Sequence, residues 1–122
     1  PAVESEGGLN VRELRRYIDR VGDRWRVEEA LLGGARVADE RGAPPQRERG
    51  PEFIVIVVSP AFDGVPWLER VYQAGSLWDA LEMGAGADVH CYTRDEFERK
   101  RTSLRSVRET VESGVDLLAV TL

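Results

Sequence analysis

Asp88 and His90 stand at alternate positions of Asp88 to Tyr92, a stretch that reads as a strand. Side chains two apart in a strand share a face, so the pair can hydrogen-bond or hold and move a proton. Glu52 follows Pro51 at the start of a second apolar stretch, where an acid ordinarily meets water. Gly33-Gly34 closes a third, and paired glycines suit a tight turn or a close backbone approach. Arg99, Lys100, Arg101, Arg105 and Arg108 could line a helix as a basic stripe for phosphates. Glu96 before Lys100, and Glu109 and Glu112 after Arg105 and Arg108, each four residues apart, make them ordinary solvated pairs instead. Cys91, the one cysteine, leaves no internal disulfide or cysteine cage to build, agrees with a reducing compartment, and is read as structural.

These groups must be positioned by a chain of 122 residues, the size of one domain with one core. It is 42% hydrophobic and 32% charged with interspersed signs, the profile of a globular protein. Its net charge of −5 argues against broad attraction to nucleic acid. The longest apolar run, Phe53 to Val58, is far shorter than the roughly 20 residues of a membrane-spanning helix. Pro1 to Asn10 carries Glu4 and Glu6 and no basic or apolar block, which fits neither a secretory signal nor a transit peptide, and a cytoplasmic location is expected. The division expected is a flexible N-terminus over residues 1–9 and a single domain over 10–122.

Asn10 with Glu13 has the spacing of a helix N-cap and its reciprocal acceptor, and Val11, Leu14, Ile18 and Val21 then recur at helical spacing toward Gly22. Trp25 to Leu32 reads as a short strand, and Ala35 to Gly50, charged and containing Pro44-Pro45, as mostly loop. Phe53 to Val58 is dense in β-branched residues and reads as a strand buried on both faces at the centre of the sheet. Pro66 opens a helix that carries Trp67, Leu68, Val71, Ala74, Trp78 and Leu81 near one face, with Trp67, Tyr72 and Trp78 read as packing residues. Asp88 to Tyr92 reads as a second central strand, and Thr93 with Glu96 as a capping box. Helical spacing through Phe97, Leu104, Val107 and Val111 runs to Gly114, and Val115 to Val120 returns to strand character. The fold class is α/β (α+β), a small mixed sheet with helices packed on it.

Leu31-Leu32-Gly33-Gly34, then Val55 to Ser59, Phe62 to Arg70, Ala87 to Arg99 and Val107 to Val115, resemble the minimal nucleotidyltransferase domains of the DNA polymerase beta-like superfamily. The likeness covers roughly Val27 to Leu118 and is most specific at Cys91-Tyr92-Thr93 with Glu96-Phe97, where a strand runs into a capped helix as in the small bacterial members. It implies a site in which three carboxylates on adjacent strands hold Mg²⁺ for transfer of a nucleotidyl group. Matched through Val57-Val58-Ser59, it puts Glu52 in the first acidic position, Ile54 in the second and Asp88 in the third, with Gly33 and Gly34 as the turn against a triphosphate. Ile54 offers no lone pair where an oxygen donor belongs. The resemblance therefore implies a fold impaired in two-metal catalysis, a pseudoenzyme acting through a bound nucleotide or partner protein. The alternatives are an active Mg²⁺-dependent enzyme passing a nucleoside monophosphate from a nucleoside triphosphate to a hydroxyl, with Glu52 and Asp88 catalytic, and an antitoxin-like interaction module. A nucleoside triphosphate, a helical protein or a second copy of the chain are the partners these readings imply.

Overall fold

The computed structural model describes residues 8–44 and 48–119. The expected flexible stretch 1–9 falls, as far as residue 7, outside them. A four-stranded mixed sheet carries six helices, the fold class expected. The order is α1 (Val11–Arg24), β1 (Glu29–Gly33), α2 (Ala35–Glu40), β2 (Phe53–Val58), α3 (Trp67–Ser76), α4 (Ala80–Met83), β3 (Ala87–Tyr92), α5 (Arg94–Ser103), α6 (Arg105–Ser113) and β4 (Val115–Asp116). Across the sheet the strands run β3, β2, β1, β4, with β2 parallel to β3 and antiparallel to β1.

The unbroken apolar run of β2 follows from its interior place, since every residue from Phe53 to Val58 is buried. Phe53, Val55 and Val57 pack with Leu14, Tyr17 and Val21 of α1 and Ala74 of α3. Ile54, Ile56 and Val58 face the other way, against Tyr92, Phe97 and Val107. That alternation makes β2 the core of both layers.

Several boundaries differ from the sequence reading, each for a local reason. Asn10 caps α1 through its side chain, but Glu13 turns inward, buried, and pairs with Arg20 instead of reaching back. Gly22 does not stop α1, which continues until Trp25 turns extended. The first strand is shorter, Glu29–Gly33, and part of the expected loop is helix, α2. The helix expected from Pro66 through Leu81 is two, because Trp78 turns in against Tyr17 and Phe53, its Nε1–H donates to the Ala85 carbonyl, and Asp79 caps α4. Leu104 is extended and divides α5 from α6. β3 lies at the edge of the sheet, not its centre. The final strand covers only Val115–Asp116, and its expected end at Val120 lies outside the described residues.

The capping box expected at Thr93 and Glu96 is formed, and a buried cation completes it. Arg70 of α3 donates from Nε to the Val65 carbonyl and from Nη1 to the Cys91 carbonyl and Glu96 Oε1, at 2.7, 3.2 and 2.7 Å. Arg70 draws Glu96 below the ordinary glutamate range, a shift that burial partly opposes. Its stabilising effect is therefore full above the unfolded-state pKa of about 4.3 and fades as pH falls below that.

Arg70→Met should lower stability by about 2 to 3 kcal/mol, because it strands an acid and two carbonyls. Urea unfolding measures it, with the exposed Arg105→Met changing stability by no more than about 0.5 kcal/mol. Arg70→Met should also lose less stability than the wild type between about pH 5 and pH 3.

Candidate functional site

Sheet register brings the residues in question into one row. Gly33 of β1 stands opposite Ile54 of β2, and Ile54 stands opposite Asp88 of β3. Glu52 precedes the strand by one residue, so the positions singled out at Gly33, Ile54 and Asp88 are lateral neighbours.

Both glycines are required by close packing. A side chain on Gly33 would meet Thr110 Oγ1 of α6 at 2.5 Å. Gly34 has φ of +103°, and a Cβ there would meet the Glu52 carbonyl oxygen at 2.7 Å and Phe53 Cα at 2.8 Å. The two N–H groups that follow are spent on main chain, Ala35 donating to the Pro51 carbonyl and Arg36 to the Glu52 carbonyl. A phosphate approaching this turn would have to compete with those bonds.

Glu52 is already bound by cations. Its Oε1 accepts from Arg36 Nε at 2.7 Å and its Oε2 from Arg49 Nε at 2.6 Å, while Arg49 Nη2 reaches Asp39 at 2.9 Å. Hydrogen bonds from Arg49, then Arg36, bring its carboxyl down to about 2. Neither arginine was singled out from sequence. Arg49 stands just before β2, and its pairing with Asp39 has no periodic signature, though its spacing of three from Glu52 was a faint one.

Asp88, exposed at the sheet edge, begins a chain of hydrogen bonds along β3. His90 Nε2 lies 3.2 Å from Asp88 Oδ2, and Nδ1 lies 2.8 Å from the Tyr92 hydroxyl. Burial, with Asp88 next, pushes Tyr92 up to about 12, so its hydroxyl keeps a proton to donate. In the tautomer with Nε2–H toward the carboxylate, Nδ1 accepts from the tyrosine hydroxyl. Both ring nitrogens of His90 are thereby used. Trp67, from the start of α3, covers the pair, with its ring 5.4 Å from Tyr92 and 6.3 Å from His90. The other residues weighed from sequence lie apart from this row. Cys91 is buried, its thiol pushed up to about 12 by burial, and Arg101 and Arg105 pair with Glu98 and Glu109.

A site for two Mg²⁺ ions needs several oxygen donors around one point. Ile54, 6% exposed, sits among Leu31, Ile56, Val58 and Tyr92. Glu52 is neutralised by two guanidinium groups, and among the described residues no three His, Cys, Asp or Glu side chains form a group that could hold a metal ion. The residues present do not fit a two-metal centre.

The architecture is of nucleotidyltransferase type. It superposes on the crystal structure of a "putative nucleotidyltransferase" from Sulfolobus solfataricus with a TM-score of 0.53, over 87% of this chain and 77% of that one, at 14% identity. That likeness establishes the fold and assigns no residue a role. No protein-family model matches the chain, and no curated protein matches it. No helix among the described residues is long and apolar enough to cross a membrane.

Two measurements test this geometry. Gly33→Ala should lower stability by about 1 to 3 kcal/mol through overpacking, and a Thr110→Ala background should relieve much of the loss, which a double-mutant cycle reads directly. In a carboxyl NMR titration Glu52 should show a midpoint near 2. With Arg36→Gln and Arg49→Gln together it should return toward about 4.3.

Proposed function

We propose that this chain is a nucleotidyltransferase-fold domain that works by binding a protein partner and not by metal-assisted transfer of a nucleotidyl group. The observation that carries the reading is Ile54, buried in apolar contacts and placed in register between Gly33 and Asp88. A hydrated dication set against that side chain would lose water ligands without gaining oxygens.

Two further features support binding of protein over nucleotide. The glycine turn has its N–H groups committed to carbonyls, and the two arginines beside it are paired with Glu52 and Asp39. Two surface hollows lie elsewhere, one of about 680 Å³ lined by Ile18, Trp25, Val27 and Leu118 and one of about 120 Å³ by Trp25, Phe62 and Arg70, with none of Gly33, Gly34 or Asp88 in either wall.

Calorimetric titration with each of the four nucleoside triphosphates, with and without Mg²⁺, should give no metal-dependent saturation at micromolar concentration. Incubation with α-labelled triphosphates and hydroxyl acceptors should give no transfer. Metal-dependent turnover that disappears in Asp88→Ala would defeat the proposal. Installing the missing acid should not rescue the site, since Ile54→Asp places a carboxylate among aliphatic side chains and should lower stability by about 3 kcal/mol or more, read by urea unfolding.

A further inference from the structure

The ion pairs expected along α5 and α6 form only in part. Arg105 pairs with Glu109 at 3.2 Å, but Glu96 is held by Arg70, which leaves Lys100 without it. Arg108 reaches the Thr102 carbonyl at 3.4 Å, across the junction at Leu104, and not Glu112. Among the described residues Arg99, Lys100 and Arg108 meet no carboxylate within ion-pair distance. All three are exposed, and Leu104 between the two helices is 39% exposed.

From Arg99 to Arg108 the chain has five arginines and lysines and no acid, in a molecule whose net charge is −5. The acids that border this stretch have partners or lie apart from it. Glu98 pairs with Arg94 and Arg101, Glu109 with Arg105, and Asp95 and Glu112 stand toward the far ends of the two helices. Beneath them, Glu28 and Glu29 at the start of β1 pair with Arg94, and Asp88 of β3 bonds His90. Helix formation explains some of the cations and not others. Lys100 and Arg101 lie in the last turn of α5, where a helix dipole favours positive charge. Arg105 instead opens α6, with no acid in its first turn and no side-chain cap from Leu104, at the end where the dipole opposes a cation. Its pair with Glu109 has the weaker order, cation before acid.

We infer that the junction of α5 and α6 docks an acidic protein segment, one that sets carboxylates against Arg99, Lys100 and Arg108 and an apolar side chain against Leu104. This names the partner chemistry for the binding role proposed above and rests on it only in taking binding as that role. Opposed charges steer such an encounter, and guanidinium groups match carboxylates in geometry. A nucleic acid fits less well. Its affinity grows with the number of phosphates neutralised, and three cations on a chain of net charge −5 answer few of them. The stretch also has no aromatic side chain on which a base could stack. A two-fold pairing with a second copy would bring these cations against their own counterparts, like charge near like charge.

The probe is a dye-labelled peptide of glutamate and leucine about twelve residues long, set against one with the same leucines and lysine in place of glutamate. Fluorescence anisotropy should show saturable one-to-one binding of the glutamate peptide and none of the lysine peptide. Raising salt from about 50 to about 300 mM should weaken it severalfold, because added ions screen exposed charges. Arg99→Gln with Lys100→Gln, which touches exposed side chains without ion pairs, should weaken binding by about tenfold or more. Arg26→Gln, an exposed arginine elsewhere, should leave it unchanged. Equal binding of both peptides, or undiminished binding in the double glutamine variant, overturns the inference. A labelled oligouridylate that binds more tightly than the glutamate peptide, and is lost in the same variant, also overturns it by giving the junction to nucleic acid. Nucleotidyl transfer by the wild type would refute the binding role while leaving this surface standing, whereas failure with the peptides would remove the surface and leave that role.

Discussion

One guanidinium group fixes how the two halves of this fold meet. Arg70 lies on α3, yet its hydrogen bonds end on the turn before that helix, on β3 and on the capping box of α5. A buried cation is tolerated only with a counter-ion and acceptors in place, so the three segments must arrive together for any of them to be satisfied. Phe62 beneath the guanidinium adds an apolar floor to the same junction. The placing of β3, and with it Asp88 and His90, is thereby coupled to a residue far from them in the chain.

The row from Gly33 through Ile54 to Asp88 is filled with packing. Each element that could meet a phosphate or a metal has found a partner within the chain. The turn bonds to Pro51 and Glu52, Glu52 to two arginines, and His90 to an acid and a phenol. A site that is to receive a charged ligand normally leaves some of that capacity open. Here that capacity is met internally.

Much of the architecture was legible because it depends on local chemistry. The β-branched run of β2 announced an interior strand, and Thr93 with Glu96 announced a helix start, since both signals act within a few residues. Ile54 and Asp88 stand side by side because strand pairing sets them there. What sequence could not show were partners chosen at long range. Trp78 leaves its helical stripe to fill a gap between Tyr17 and Phe53, and that breaks one helix into two. Leu68 and Leu81 belong to the same stripe and stay in solvent, so a periodic pattern alone could not separate a side chain turned inside from one held out. Arg36 and Arg49, thirteen positions apart, both converge on Glu52, and no local pattern marks that pairing.

The sheet's open border has its own consequence. Among the described residues β3 is the terminal strand, with a neighbour on one side only. On that strand Arg70 already claims the carbonyl of Cys91. An acceptor occupied in this way is denied to a further extended chain, and a charge lodged against a terminal strand makes it a poorer template for strand addition.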